Sequence, residues 1–444
     1  MISAPDGYRT IEVPEVRKEE VLEVDRLAFA LSANPAVDAV VPVTLDWHRT
    51  VAVEQADGTL AGVHSSYPFT LPVPGASVPC AGLTWVGVRP DHRRRGVLSS
   101  MIGTHFERSL ARREPVSALF AAEPAIYGRF GYGAAADNLR LTLPRGAALR
   151  SVTGSAELTL RLESADPGTH LDLVHAVHGV AGAGRPGWIE RTTPTLRNRH
   201  LADPRPGRDG AEQLRIVTVR DKAGARGYAL FRRKESWVAG GPQGKVRVAD
   251  LAAVDGAAAH RLWSFLLDLD LMASVESPML AVDDVLLHLL VDPRGAEPRV
   301  SDNLWVRLLD VPVALAARRY AAPVDVVLEV TDALLPANSG RWRVRTGTAG
   351  AAGITSTAGA AGTTSTAGAA GTTSTAGFPA EVSPTSDPAD LRLDVRELAT
   401  VYLGGRSLSA LAGAGLVAEH RPGAALWAST AFSWPIAPFC SWVF

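Results

Sequence analysis

The junction between residues 83 and 110 constrains this chain more than any other segment. Leu83 to Val88 is apolar and rich in strand formers, and it passes through Arg89 and Pro90 into the run RRRGVLS, Arg93 to Ser99. A helical pattern follows at once, with Leu98, Met101, Ile102, Phe106 and Leu110 on one face. A strand that turns through a basic, glycine-containing loop into a helix N-terminus aims several main-chain N–H groups at one spot. That arrangement holds a pyrophosphate. Gly96 lets an anion approach the backbone; Arg94 and Arg95 add charge, while the N–H groups of Gly96, Val97, Leu98 and Ser99 do the positioning.

A chain of 444 residues exceeds one ordinary core, so several domains are expected. The 45 Lys and Arg against 46 Asp and Glu leave a net charge of -1. No global field favours nucleic acid or an anionic membrane surface. No run of eighteen apolar positions is present, and Met1 to Arg17 lacks the apolar segment of a secretory signal, which predicts a soluble cytoplasmic protein with no membrane span. Cys80 and Cys440 are the only cysteines. They cannot build a disulfide framework and read as core thiols.

Residues 347–377 repeat the unit TAGAAGTTS with little change. Small Gly, Ala, Ser and Thr side chains bury too little apolar area to offset their ordering entropy, so this reads as a mobile insertion within a domain. Before it, residues 324–330 and 341–345 read as a hairpin, and 304–308 as a strand leading to a helix capped by Asp310 that runs toward Tyr320. Three regions result: 1–150, 151–298 and 299–444. The first predicts a helix over 19–31, strands over 49–54 and 62–69, and a strand over 118–122 beside the 83–88 segment. The second repeats the order, with strands over 214–220, 227–231 and 245–251 and a helix over 257–272, but it has no basic glycine loop between Asp250 and Leu262. The expected fold class is α+β.

The segment VGVRPDHRRRGVLS resembles motif A of the GNAT superfamily of N-acetyltransferases: Arg93 and Gly96 fit the pattern, and Leu98 replaces its last small residue. The resemblance implies acetyl-CoA as cosubstrate, with main-chain groups of Val86, Gly87 and Val88 pairing with the pantetheine arm as an added strand would. The following segment EPAIYGRFGYG, Glu123 to Gly133, resembles the Eis (enhanced intracellular survival) acetyltransferases. That resemblance assigns Tyr127 as the general acid that protonates the departing thiolate, a role that suits a phenol of pKa ~10, with Ala122 and Glu123 beside it as residues that bind the cosubstrate. Tyr132 reads as a packing residue.

The Eis resemblance covers nearly the whole chain. It implies tandem GNAT-like domains with mixed sheets flanked by helices, the second degenerate, followed by a sterol-carrier-type domain. It also implies a homohexamer and amine acceptors, either aminoglycosides at more than one position or protein lysines. The terminal run AFSWPIAPFCSWVF is too aromatic for a frayed end. In the resembling family the chain ends inside the active site, which makes the Phe444 carboxylate the general base. Asp25 and Asp38 are candidates for attracting a polycation.

Competing signals are weaker. His175 and His178 lie three apart, but nothing completes a zinc pattern, so no metal is expected. His48, His64, His92 and His105 are possible acid–base groups that more often serve as surface or core residues. No nucleophile elbow, phosphate-binding Gly-Lys-Thr loop or His-Glu-x-x-His motif is present. The alternative to an enzyme is a coenzyme A- or lipid-binding carrier without transferase activity.

Overall fold

The protein is described by a computed structural model covering residues 4–347 and 377–444. The expected insertion therefore lies almost wholly outside the described residues. The first sheet has seven strands in the order Tyr8–Glu12, Val51–Gln55, Leu60–Val73, Ala76–Val88, Val116–Leu119, Trp305–Leu308 and Gly133–Ala134. Alternation along Val51–Gln55 sends Ala52 to one face and Val53 to the other. Ala52 packs with Val21 and Val24 of the helix Lys18–Phe29, and Val53 with Val97 and Met101 of the helix Val97–Ala111. The two helices thus cover opposite faces.

A second sheet repeats the plan in the order Thr142–Pro144, Met272–Glu276, Gly244–Ala253, Gly224–Lys234, Arg215–Asp221 and Thr159–Ser164. Ile216 faces Val174 and Val177 of the helix Pro167–Ala181, whereas Val217 faces Leu262 and Leu266 of Gly256–Leu267. The C-terminal region has a five-stranded sheet, ordered Ala380–Pro384, Gly340–Thr346, Asp325–Thr331, Leu391–Asp394 and Val417–Glu419. The expected hairpin forms there, pairing Asp325 with Arg345. The largest core joins this region to the first sheet: Phe69, Val116 and Val306 share it with Leu315, Tyr320, Leu328 and Phe432.

Several expected elements differ in extent or place. The strand that was to open the C-terminal region joins the first sheet instead, antiparallel to Val116–Leu119 through Trp305↔Leu119 and Leu308↔Val116. Its apolar Val306 and Leu308 fill the same core as Val116 and Ala118, which is the gain that draws it there. The helix expected over 257–272 ends at Leu267; Leu271 turns with φ +66°, and Met272, the last residue expected in the helix, opens the half-buried strand Met272–Glu276, parallel to Gly244–Ala253. The strand expected over 118–122 occupies Val116–Leu119, which frees Ala122 and Glu123 from the sheet to line the site.

Candidate active site

The strand Ala76–Val88 carries the geometry. Its parallel pairing with Val116–Leu119 runs only from Cys80↔Val116 to Gly82↔Ala118. Beyond Gly82 the two strands part, leaving the Leu83–Val88 edge without a partner strand among the described residues. On the other side, Val63 pairs with Gly87 and Ser65 with Thr84, so Trp85 and Val86 stand opposite the single residue His64. This bulge, with Trp85 at φ +54°, takes the Trp85 and Val86 backbone out of the ladder.

The loop after it ends at Gly96, which caps the helix Val97–Ala111 with φ +83° and contributes no side chain. A Cβ there would come within 3.1 Å of Pro5 in a left-handed conformation that favours glycine. Ser100 N–H donates to the Gly96 carbonyl at 3.0 Å. The N–H groups of Val97, Leu98 and Ser99 have no acceptor among the described residues and remain available to an anion.

These parts enclose a cleft of about 600 Å³. Of the residues expected from sequence, Val86, Val88, Arg94, Gly96, Val97, Leu98, Ser99, Ala122, Glu123 and Tyr127 line it. Gly87 does not line it: it alternates with Val86 and Val88 and faces the helix Lys18–Phe29, where a Cβ would lie 3.2 Å from Ala28. Arg95 turns toward the Tyr8 hydroxyl, 3.4 Å away. Pro90 and Arg93 of the motif and the candidate acid–base group His92 line the cleft too, whereas sequence reasoning missed Ala28, Phe29, Ile126 and Arg129. Of the missed residues only Ile126 and Arg129, flanking Tyr127, carried a local signal. Phe29 arrives by packing of its helix.

Tyr127 ends the short helix Pro124–Tyr127 and is 9% exposed. Burial and the nearby Glu123 carboxylate push its phenol up to about 12. Its hydroxyl makes no hydrogen bond among the described residues, while its ring packs edge-on against Tyr132 at 5.9 Å. Tyr132 is fully buried, with its hydroxyl 2.8 Å from Ser117 Oγ, as befits a packing residue. His64 and His105 are buried as well, and burial holds the His64 imidazole down near 3. Neither lines the cleft.

Phe444 lies at the root of the fork rather than in the cleft lining. Its ring packs on Phe69 at 4.9 Å, Phe120 at 5.4 Å and Trp442 at 5.7 Å, and an added Cβ at Gly82 would sit 3.3 Å from its Cε2. Asp25 lies beside the bulge, where the missing Cβ of Gly87 would be 3.8 Å from its Cα. Burial raises its carboxyl against the opposing pull of Arg199 and Arg26. Asp38 is spent on Arg26 at 3.2 Å, whereas Asp25 has no ion-pair partner among the described residues. Among the described residues no group of three or more His, Cys, Asp or Glu side chains is placed to hold a metal ion, and the buried His178 Nε2 lies 2.7 Å from Ser441 Oγ.

Family models match in three stretches: an acetyltransferase (GNAT) domain over residues 9–135, a second over 187–308, and a sterol carrier protein domain over 311–441. An uncharacterized N-acetyltransferase of Streptomyces avermitilis is 40% identical over 392 residues, 88% of each chain. The N-acetyltransferase Eis of Mycobacterium tuberculosis is 34% identical over 340 residues, 72% of this chain and 79% of that one. The chain belongs to the Eis family of GNAT N-acetyltransferases. The crystal structure of Eis1 from Mycobacterium abscessus superposes with a TM-score of 0.76 at 29% identity, covering 98% of this chain and 100% of that one.

As an Eis-family N-acetyltransferase, the protein uses acetyl-CoA as cosubstrate, and the cleft fits it. Free N–H groups and the bare Gly96 cap suit the pyrophosphate, and the unpaired strand edge suits the amide-bearing arm. Among the described residues, no helix is long and apolar enough to cross a membrane.

Proposed function

We propose that this enzyme acetylates the primary amines of aminoglycosides at more than one position, with protein lysine side chains as a second acceptor class. The observation that carries the reading is the Tyr127 hydroxyl, without a hydrogen-bond partner among the described residues, opening on the same cleft as the Gly96 loop and the splayed strand. Acetyl transfer proceeds by direct attack. The acceptor nitrogen forms a C–N bond to the thioester carbonyl carbon while the C–S bond breaks; the nitrogen's proton passes to the Phe444 carboxylate, and Tyr127 protonates the sulfur. Backbone N–H groups released by the Trp85–Val86 bulge polarise the carbonyl.

Asp25, beside the bulge and with no ion-pair partner among the described residues, supports a polycationic acceptor. We propose domain limits near 150 and 298 with strands exchanged across them, and a cytoplasmic homohexamer whose mass light scattering would measure. Incubation with acetyl-CoA and either aminoglycosides or lysine peptides tests the acceptor class, following thiol release and product mass. Multiply acetylated aminoglycoside is expected. Binding of acetyl-CoA without acetylation of any amine would leave only the carrier reading.

A further inference from the structure

The second acetyltransferase-like region has no anion-binding loop. Its helix Gly256–Leu267 is capped by Asp255, whose carboxylate accepts from Ala258 N–H at 2.9 Å and fills the place that Gly96 leaves open. What this region does hold is the chain end. The tail after the helix Ala424–Phe432 runs across it before Phe444 enters the first sheet's fork. His178 Nε2 lies 2.7 Å from Ser441 Oγ. Trp442 donates from Nε1 to the Ile189 carbonyl at 2.7 Å, and the Arg191 guanidinium sits over its ring at 5.1 Å.

These contacts are built, not incidental. His178 is 1% exposed and Arg191 4% exposed. Arg191 Nη2 stands 3.6 Å from Asp250, yet its Nε and Nη2 make no hydrogen bond, so the Trp442 ring face supplies part of its compensation. Asp250 is itself fixed by Tyr228 at 2.7 Å and His200 at 2.8 Å. A buried charge network thus ends on a residue two positions from the terminus. Two residues further back, Asn303 brackets Cys440, donating to its carbonyl at 3.0 Å and accepting from its N–H at 2.8 Å.

We propose that the second region is the clamp of the catalytic terminus, with His178 and Arg191 as positioning residues that set where the Phe444 carboxylate stands. The proposal rests on the reading of that carboxylate as the base. It gives the degenerate fold a role in the reaction without a ligand of its own. A terminal carboxylate has no side-chain rotamer to lock it, so its position depends on the three residues behind it. A displacement of about 1 Å at a reacting group is enough to cost about a hundredfold in rate.

The test measures release of Phe444 by carboxypeptidase A, followed by intact mass, alongside kcat, the KM for acetyl-CoA and the melting temperature. His178→Leu and Ser441→Ala should speed release about five- to tenfold, the worth of one buried hydrogen bond. The same variants should lower kcat at least as much and leave the KM for acetyl-CoA unchanged. His178→Gln, which retains an N–H able to reach Ser441, should restore both. Arg191→Met should act in the same direction; if it fails to fold, the His178 pair and Ser441→Ala carry the test alone. Faster release with unchanged kcat would remove the terminal-base reading while the clamp stands. Unchanged release overturns the clamp, whether or not kcat falls.

Discussion

Gly96 and Asp255 stand at the same point of two successive acetyltransferase folds, each capping the helix that follows the central strand, and only Gly96 leaves the helix N–H groups free. Asp255 occupies its own helix's anion position with a carboxylate that also pairs with Arg226. The chain should therefore bind one acetyl-CoA per subunit by calorimetry. A stoichiometry of two would refute the comparison.

The same contrast predicts the effect of Gly96→Asp. A carboxylate near the pyrophosphate opposes it by about 4 kcal/mol for unit charges 4 Å apart near a surface, about a thousandfold in affinity. Gly96→Ala is the control, since it carries the left-handed strain and the approach to Pro5 without the charge. Gly96→Ala should retain measurable binding. Equal losses in the two variants would assign the effect to backbone strain.

For Tyr127→Phe, kcat should fall by about a hundredfold to ten-thousandfold with little change in the KM for acetyl-CoA, because the ring still packs on Tyr132 while the proton donor is gone. A general acid works while protonated. With Tyr127 pushed up to about 12, the wild-type rate should show no alkaline decline from this group below about pH 10. An alkaline limb near pH 8 that disappears in Tyr127→Phe would contradict the burial seen here.

Much of this site was legible because its parts are close in sequence. The strand, loop and helix from Leu83 to Leu110 lie within one junction, and Tyr127 follows within a few turns; local chemistry settles such segments. What stayed hidden depends on distant pairing. Nothing local distinguishes Trp305–Leu308 as a partner of Val116–Leu119, since its alternation suits any half-buried sheet. The tail's aromatic content announced that it was tied down, but His178 and Arg191, its holders, lie some 250 residues earlier and read as an unremarkable histidine and a charge. The bulge at Trp85 carries no glycine signal, although its φ is positive.

Buried histidines give an acid-lability prediction. Burial holds His64 and His178 near 3, against an unfolded value of 6.5, so the unfolded chain binds protons that the folded one refuses. Stability is present above pH 6.5 and is lost as pH falls toward 3. Each of the two costs about 2 kcal/mol between pH 7 and pH 5. The melting temperature should drop over that interval, and His64→Gln should flatten part of the drop. A midpoint independent of pH between 7 and 5 would contradict neutral buried imidazoles.

The chain end gives the sharpest test of the mechanism, because the proposed base is a main-chain group that no side-chain substitution removes cleanly. Adding two glycines after Phe444 keeps every side chain, including the ring packed on Phe69 and Phe120, but carries the carboxylate away by up to about 3.5 Å per residue. A base must stand within about 3.2 Å of the nitrogen it deprotonates, or one water away. Turnover should collapse while the melting temperature and acetyl-CoA affinity hold, since neither the Gly96 loop nor the clamp on Ser441 and Trp442 is touched. Deleting Phe444 should instead lower stability, by at most about 1.5 to 3 kcal/mol for a fully buried ring. If the tail only packs, the extended enzyme, verified intact by mass, keeps its rate, and the truncated one loses stability without a specific loss of kcat.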